Sequence, residues 1–390
     1  MTARATPLAG VKVIELARIL AGPWAGQTLA DLGADVIKVE SPEGDDTRRW
    51  GPPFVTRADG AQEAAYFHSC NRGKRGVVAD FREAKDRDFV RALIADADVV
   101  IENFKLGGLA RYGLDYASLK TINPALIYCS ITGFGQTGPY APRAGYDFVV
   151  QGMSGMMDLT GEPGEEPQKI GVALADIITG LYATIAIEAA LLERQRSGLG
   201  QHIDMALLDS MVGVLANQAL NYLVSGNAPT RLGNVHPNIA PYQVFTASDG
   251  PFILAVGNDH QFRRFCEIVD RPDMPDDPRF ATNPARVANR PALAEALSAA
   301  VQRWRKSALL ERCDKAGVPA GPINQLAQVF ADRQVRARAI QLDLGRGLPG
   351  VRTPIRMGEA VAAHASPAPR LGEHDAAVRK AMAAVAAGVE

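Results

Sequence analysis

The sequence predicts an α/β protein, a parallel sheet wrapped by helices, with a smaller α+β unit after it. Three observations predict this. From residue 11, short β-branched runs alternate with helical ones, the order that builds βαβ crossovers. The stretch NAPTRLGNVHPNIAPYQ after Gly226 is rich in Pro, Gly and Asn and has no periodicity, so it marks a long loop or a domain boundary. Beyond Phe245 the strand-like FILAVGN is followed by helix-like HQFRRFCEIV, ARVANRPALAEALSAAVQRW and SALLERCDKAG, a second compact pattern.

Taken in order, VKVIEL reads as a strand, AGPWAGQTLADLG as a helix and ADVIKVE as the next strand. GVVAD, the helix REAKDRDFVRALIADA, VVIEN and LIYCSITG continue the alternation. Ligands of a parallel sheet bind outside the carboxyl ends of its strands, so the segments after Leu16, Glu40, Glu102 and Gly133 are where chemistry is expected. The longest apolar stretch, Ile177–Leu192, is preceded by Asp176, interrupted by Glu188 and contains Gly180. It is read as a buried helix, opened by Asp176, rather than a membrane span. QHIDMALLDSMVGVLANQALNYLVSG follows as a strand and a helix ending at Gly226. The last Ala-rich segment is helix-prone.

Among 390 residues, 42 Lys plus Arg face 43 Asp plus Glu. The whole-molecule field that would attract nucleic acid or anionic lipid is therefore absent, and neither is expected as a partner. Any anion site must be local. Cys70, Cys129, Cys266 and Cys313 form no CxxC pair, so neither a disulfide framework nor a zinc ribbon is expected. The N-terminus runs into a strand without a secretory pattern, which gives a cytoplasmic expectation.

The usual motifs are missing. ARILAGPWAG has the wrong glycine spacing for a dinucleotide site, GxxxxGK[ST] does not occur, QGMSGM is not a nucleophile elbow, and HExxH is absent. The six histidines are scattered, and no metal site is expected.

What remains is a set of longer signatures: ARILAGP, LGADVIKVESPEGDDTRRWGPPF, NRGKR, VIENFKLGGLARYGL, SITGFGQTGPYAPRAGYD and GVALADIITGLYA. In this order and spacing, from about Leu8 to the Leu371-Gly372-Glu373-His374 tail, the chain resembles the class III CoA-transferase family. That is the group of formyl-CoA:oxalate transferase, with α-methylacyl-CoA racemases as relatives.

The resemblance implies that Asp176, 30 residues after Tyr146, is the nucleophile. A carboxylate with a reference pKa of about 3.9 needs no general base, only orientation and loss of water. Its helix N-terminus would hold it ionised. CoA, a polyanion, needs cations and backbone donors, and the resemblance assigns these to Asn71, Lys74 and Arg75 of NRGKR, to Asn103, Phe104 and Lys105 of NFK, and to Arg111. It places Tyr146 and Asp147 at the thiol end and Arg18 and Ile19 on the first-strand loop. CoA is substrate here, and no prosthetic group is implied.

Racemases of this type use a His where this chain has Tyr146, and tyrosine, with a reference pKa of about 10, is a poor proton carrier at neutral pH. Transferase chemistry is the expectation, with the racemase or epimerase as the alternative and a CoA-binding protein without turnover as a third reading. Oxalate-specific members carry a glycine-rich loop where this chain has GNVHPNIAPYQ, and a Gln where it has Leu20. RILAGP, GDDTRRWGPPF, RAGYD and that loop look closest to succinyl-CoA:dicarboxylate transferases of the glutarate type. A second carboxylate on the acceptor asks for a cation, with Arg18, Arg48, Arg231 and His236 as candidates.

The fold implied is a large Rossmann-like domain from residues 1–200 and 325–390, a linker helix at 201–226, a small α+β domain at 227–318 and a return linker at 319–324. Relatives form homodimers of two interlocked chains, with the site between the large domain of one and the small domain of the other.

Overall fold

The computed structural model describes residues 6–57, 59–345, 347–358 and 366–386. The chain runs through β1 (Lys12–Glu15), α1 (Ala21–Asp31), β2 (Asp35–Glu40), the hairpin β3 (Phe54–Thr56) and β4 (Gln62–Ala64), α2 (Ala65–Cys70), β5 (Arg75–Val78) and α3 (Ala84–Ala95). It continues through β6 (Val99–Glu102), α4 (Tyr116–Leu119), β7 (Ile127–Thr132), α5 (Asp147–Met153), α6 (Met156–Leu159), α7 (Leu174–Ser197), β8 (His202–Ala206), α8 (Leu207–Gly213) and α9 (Ala216–Ser225). Two compact units result, one from residues 1–156, 169–227 and 333–390, the other from 157–168 and 228–332.

The first unit is a mixed α/β structure built on a six-stranded sheet in the order β5-β2-β1-β6-β7-β8, every pairing parallel. Alternation along each strand separates the two faces. Val13, Val36, Val99, Ile101 and Ile127 pack under α1 and α7, while Ile14, Ile37, Val77, Val100 and Tyr128 pack under α3 and α4. Strand order reverses between β1 and β6, the place where such sheets open a crevice.

The tail closes the far edge. Gly76 N–H donates to His374 Nδ1 at 3.1 Å and Val78 N–H to Asp375 Oδ1 at 2.9 Å, so the backbone of edge strand β5 is covered rather than left open. Val378 of the C-terminal helix Asp375–Ala386 joins the core below α3.

The second unit holds β9 (Tyr242–Ala247), β10 (Gly250–Ala255), α10 (Asp259–Ile268), α11 (Asn283–Ala288), α12 (Arg290–Val301), α13 (Lys306–Lys315) and β11 (Ala320–Pro322). Its three strands are antiparallel in the order β11-β10-β9. Phe252, Phe262, Phe265, Leu297 and Leu309 form its core.

Three boundaries differ from the sequence expectation. Residues 201–226 are not a linker helix: β8 is the sixth strand of the main sheet, its Ile203 and Met205 packing on the core under α7, and two helices follow it. Residues 319–324 are not a linker either, because β11 pairs with β10 and the chain rejoins the first unit only at 333. The polar segment 157–168 belongs with the second unit, tied there by Gly233 N–H donating to the Gly161 carbonyl and by Arg231 on Asp158.

Helix α7 is half-buried rather than buried. By length and composition it could cross a membrane, yet Ala183, Ile187 and Ala190 sit in the core while Leu181, Tyr182, Ile185 and Leu192 are exposed. Its contact with α1 depends on Gly180, where a Cβ would stand 2.6 Å from the Ala21 carbonyl oxygen and 3.1 Å from Trp24 Cβ. Gly180→Ala is expected to push the two helices apart and to lower stability by about 1–3 kcal/mol, read as a fall of several degrees in a thermal melt.

Candidate functional site

The loop after β1 is built on buried charge. Lys38 and Lys74, both fully buried, converge on Glu15. Lys38 Nζ also reaches Asp45 at 3.0 Å and the Ala17 carbonyl at 2.9 Å. Burial by itself would lower Lys38, but Glu15, then Asp45 and Glu40, hold it above the usual lysine range. Asp45 in turn accepts the N–H of Ile19, and Asn103 clamps Arg18 from both sides, accepting its N–H at 2.9 Å and donating to its carbonyl at 2.7 Å. These bonds hold Ile19 at φ 73, a conformation that costs a β-branched residue on the order of 1–3 kcal/mol and persists only where the surroundings fix it.

A second close approach joins the SITGFG and RAGYD motifs. Gly133 and Gly145 touch backbone to backbone, and a Cβ on either would fall 2.5 Å from the other's Cα. Only glycine at both positions lets these segments form one wall.

Between these loops, beyond the carboxyl ends of β1, β6 and β7, lies a cavity of 590 Å³. Its lining includes Arg18, Ile19, Asn103, Phe104, Lys105, Arg111, Tyr146 and Asp176, eight of the residues named from sequence. Leu20 lines it too, and so do residues that the sequence reading did not name, among them Ala21, Arg143 and Leu207. Arg143 stacks on Phe134 and Tyr140, its Cζ 5.3 and 4.6 Å from the ring centroids; its place in RAGYD beside Tyr146 was the available signal. Lys105, Arg111 and Arg143 have no carboxylate partner among the described residues, whereas Arg18 meets Asp46 at 3.1 Å. No histidine lines this cavity among the described residues.

Asp176 stands in the first turn of α7, not at its cap. The capping is done from outside: Asp147 Oδ1 accepts the Ala175 N–H at 2.7 Å, and its Oδ2 accepts from Gln151 at 2.8 Å. Asp147 thus braces the turn and is not among the residues that line the cavity. Against the expectation that its helix end holds Asp176 ionised, burial, and then the neighbouring Asp147, push its carboxyl from 3.8 up to about 7. Tyr66, half-buried, lies in the same field: burial and then Asp176 push its phenol up to about 12.

Other expected contacts fall elsewhere. Lys74 is fully committed to Glu15, the Pro23 carbonyl and Asn71, which is itself buried, so neither side chain reaches the cavity. Arg75 begins β5 at the opposite edge of the sheet and pairs with Asp35. Arg48 is not available to an acceptor acid: it is buried against Glu40 and Glu63 and stacks on Phe67 at 3.7 Å. In the second unit, Arg231 pairs with Asp158, and His236 accepts the Asn238 N–H and packs on Tyr242.

A carboxyl whose pKa is raised by folding binds its proton more tightly folded than unfolded, so stability falls as pH rises between about 3.8 and 7 and levels off above. Asp176→Asn is therefore expected to match the native chain near pH 4 and to exceed it at pH 8 by on the order of 2–4 kcal/mol, measured by thermal or urea unfolding across pH. Equal stabilities at pH 8 would refute the environment described.

The description CoA-transferase family III matches residues 8–375. The chain is 59% identical over 384 residues to a succinate–glutarate CoA-transferase of Agrobacterium fabrum, covering 97% of this chain and 96% of that one. It is 41% identical over 379 residues to the succinyl-CoA:glutarate CoA-transferase of Homo sapiens, covering 96% and 85%. A crystal structure of a CAIB/BAIF family protein from Brucella suis superposes with a TM-score of 0.88 at 64% identity, covering 97% of this chain and all of that one. The chain thus belongs to CoA-transferase family III, and is an enzyme of acyl-CoA metabolism whose substrates are CoA thioesters.

Proposed function

We propose that this enzyme moves CoA from succinyl-CoA to a dicarboxylic acid of the glutarate class, through covalent intermediates on Asp176. The observation that carries the reading is a buried carboxyl in a cavity lined by Lys105, Arg111 and Arg143. CoA phosphates supply the anions these cations lack, with Arg18, Ile19, Asn103 and Phe104 as the adjoining wall. The names of the relatives support the choice of acids.

Asp176 attacks the thioester carbonyl, and the C–S bond breaks to release CoA thiolate and leave an aspartyl-acyl anhydride. The thiolate attacks the aspartyl carbonyl, giving aspartyl-CoA thioester and free succinate. The acceptor carboxylate attacks that thioester, and the CoA thiolate again leaves, this time from an anhydride of acceptor and Asp176. Thiolate attack on the acceptor carbonyl restores the Asp176 carboxylate. Burial serves two ends: a poorly hydrated carboxylate is the better nucleophile, and the anhydrides are kept from water. Arg231 and His236 are proposed on the acceptor side.

The chain is further proposed to work as an interlocked homodimer with a Rossmann-like large domain. The reversal of strand order between β1 and β6 supports the second point. Exposed Leu181, Tyr182 and Ile185 of α7 and Leu220, Leu223 and Val224 of α9 support the first, since large apolar side chains left exposed on two helices suit burial against a second chain.

Incubation with succinyl-CoA, a hydroxylamine or borohydride quench and intact-mass measurement are expected to show a derivative at Asp176 that Asp176→Ala does not form. Exchange of the α-hydrogen with deuterated solvent, without any adduct, would support the racemase reading in its place. Because the nucleophile must be ionised, kcat/KM is expected to fall about tenfold per pH unit below about 7; a flat profile from pH 5.5 to 8 would oppose this role.

A further inference from the structure

Glu102 ends β6 and is 6% exposed, yet it differs from its buried neighbours. Glu15, Asp45, Glu40 and Asp31 each hold a lysine or arginine; among the described residues Glu102 holds none. Its Oε2 accepts the Phe104 N–H at 2.8 Å, which closes the turn carrying Asn103, Phe104 and Lys105. Its partner in register on β7 is Ser130, which also hydrogen-bonds it. Ser130 Oγ lies 2.9 Å from His202 Nε2, and His202, exposed at the start of β8, stacks on Tyr116 at 5.1 Å. A carboxyl, a hydroxyl and an imidazole thus make one line from the sheet to solvent.

This line borders a second cavity, of 280 Å³, which shares the wall Phe104–Gly108 with the larger one. Lys105 is the one lysine or arginine lining the smaller cavity among the described residues.

We propose that Glu102 is a positioning residue whose proton decides which cavity Lys105 serves. With Glu102 protonated, its O–H donates to Ser130, Ser130 donates to His202 Nε2, and Lys105 is left to the phosphates of bound CoA. With Glu102 ionised, the proton has passed through Ser130 and His202 to water, and Ser130 donates back to the carboxylate. A buried carboxylate without a cation is costly, and Lys105 lines both cavities, so the shared wall turns toward Glu102 and its hold on CoA weakens.

The surroundings favour a change near neutrality. Burial pushes Glu102 up to about 7, against the bonds from Ser130 and Phe104. Burial keeps His202 below its usual value, against Asp204. Tyr128 and Cys129, which also feel Glu102, are pushed well up by burial. Asp115 and Tyr116 complete the groups facing the cavity, and Lys120 sits over the Tyr116 ring at 5.5 Å.

The inference rests on the placement of CoA in the larger cavity. It is tested by calorimetric titration of CoA into the full-length Asp176→Asn protein from pH 6.5 to 8.5, so that the other carboxyl titrating near neutrality is removed. Affinity is expected to fall roughly threefold to tenfold across this range, and the fall is expected to vanish when Glu102→Gln is added. Ser130→Ala removes a bond that lowers the Glu102 pKa, and so is expected to move the fall to higher pH; this variant decides the matter if Glu102→Gln does not fold. The same pH slope with and without Glu102→Gln, or an unmoved midpoint in Ser130→Ala, would overturn the proposal. Failure of the Asp176→Asn protein to bind CoA at any pH would overturn the placement of CoA itself, and the inference with it.

Discussion

The buried charge cluster under the first loop is the constraint on which the rest of the site depends. Lys38 and Lys74 share Glu15, and Asp45 pairs with Lys38 while accepting the Ile19 N–H. Buried ion pairs are poor sources of net stability, since desolvation offsets most of their attraction. What this one provides is position. A β-branched residue at φ 73 relaxes unless it is held, and Ile19 is held by Asp45 on one side and by the Arg18–Asn103 exchange on the other. Through Asn103 the constraint passes from the end of β1 to the end of β6, so the two loops flanking the reversal of strand order act as one wall.

That rigidity has a counterpart at Asp176. The helix end that would stabilise an anion is already engaged by Asp147, which caps α7 from α5. Asp176, the proposed nucleophile, is thus placed beside a like charge and away from water, and its pKa rises to about 7. A lower pKa would give more carboxylate at neutral pH, but a better hydrated and less reactive one. The arrangement trades part of the ionised fraction, and some stability above pH 7, for a carboxylate that meets substrate with little water to lose.

The alternation of strands and helices was legible because each βαβ crossover is local, and so were the loops at the carboxyl ends of β1, β6 and β7. Asp176, Arg18, Ile19, Asn103, Phe104, Lys105, Arg111 and Tyr146 do converge on one cavity. Lys74 and Arg48 were misplaced for a single physical reason. A basic residue in a motif reads as a ligand contact, and its burial shows only when a distant carboxylate arrives: Glu15 for Lys74, Glu40 and Glu63 for Arg48. Residues 201–226 failed differently. A strand that pairs at the edge of a sheet looks no different in sequence from one in a linker, because its partner β7 lies on the far side of α7. The membership of 157–168 in the second unit is set by contacts to residues near 231–233, which periodicity does not encode.

A site proposed for a polyanion would be expected to avoid carboxyls, yet this cavity keeps Asp176 in its lining and Glu102 behind its wall. The buried acids of the structural cluster are each paired with a fixed lysine or arginine. Among the described residues Asp176 and Glu102 have no such partner, and burial pushes each up to about 7. Both respond in the same sense to ligand: negative charge entering the cavity favours their protonated forms. In the proposed reaction only Asp176 must then lose its proton for chemistry to begin. A group that binds best when neutral but reacts only when ionised has opposing pH demands, and a second carboxyl that follows the first demand without taking part in the reaction sharpens the conflict. Binding therefore favours the acid side of neutrality and chemistry the basic side, so the balance between them is set by how far burial has raised each carboxyl.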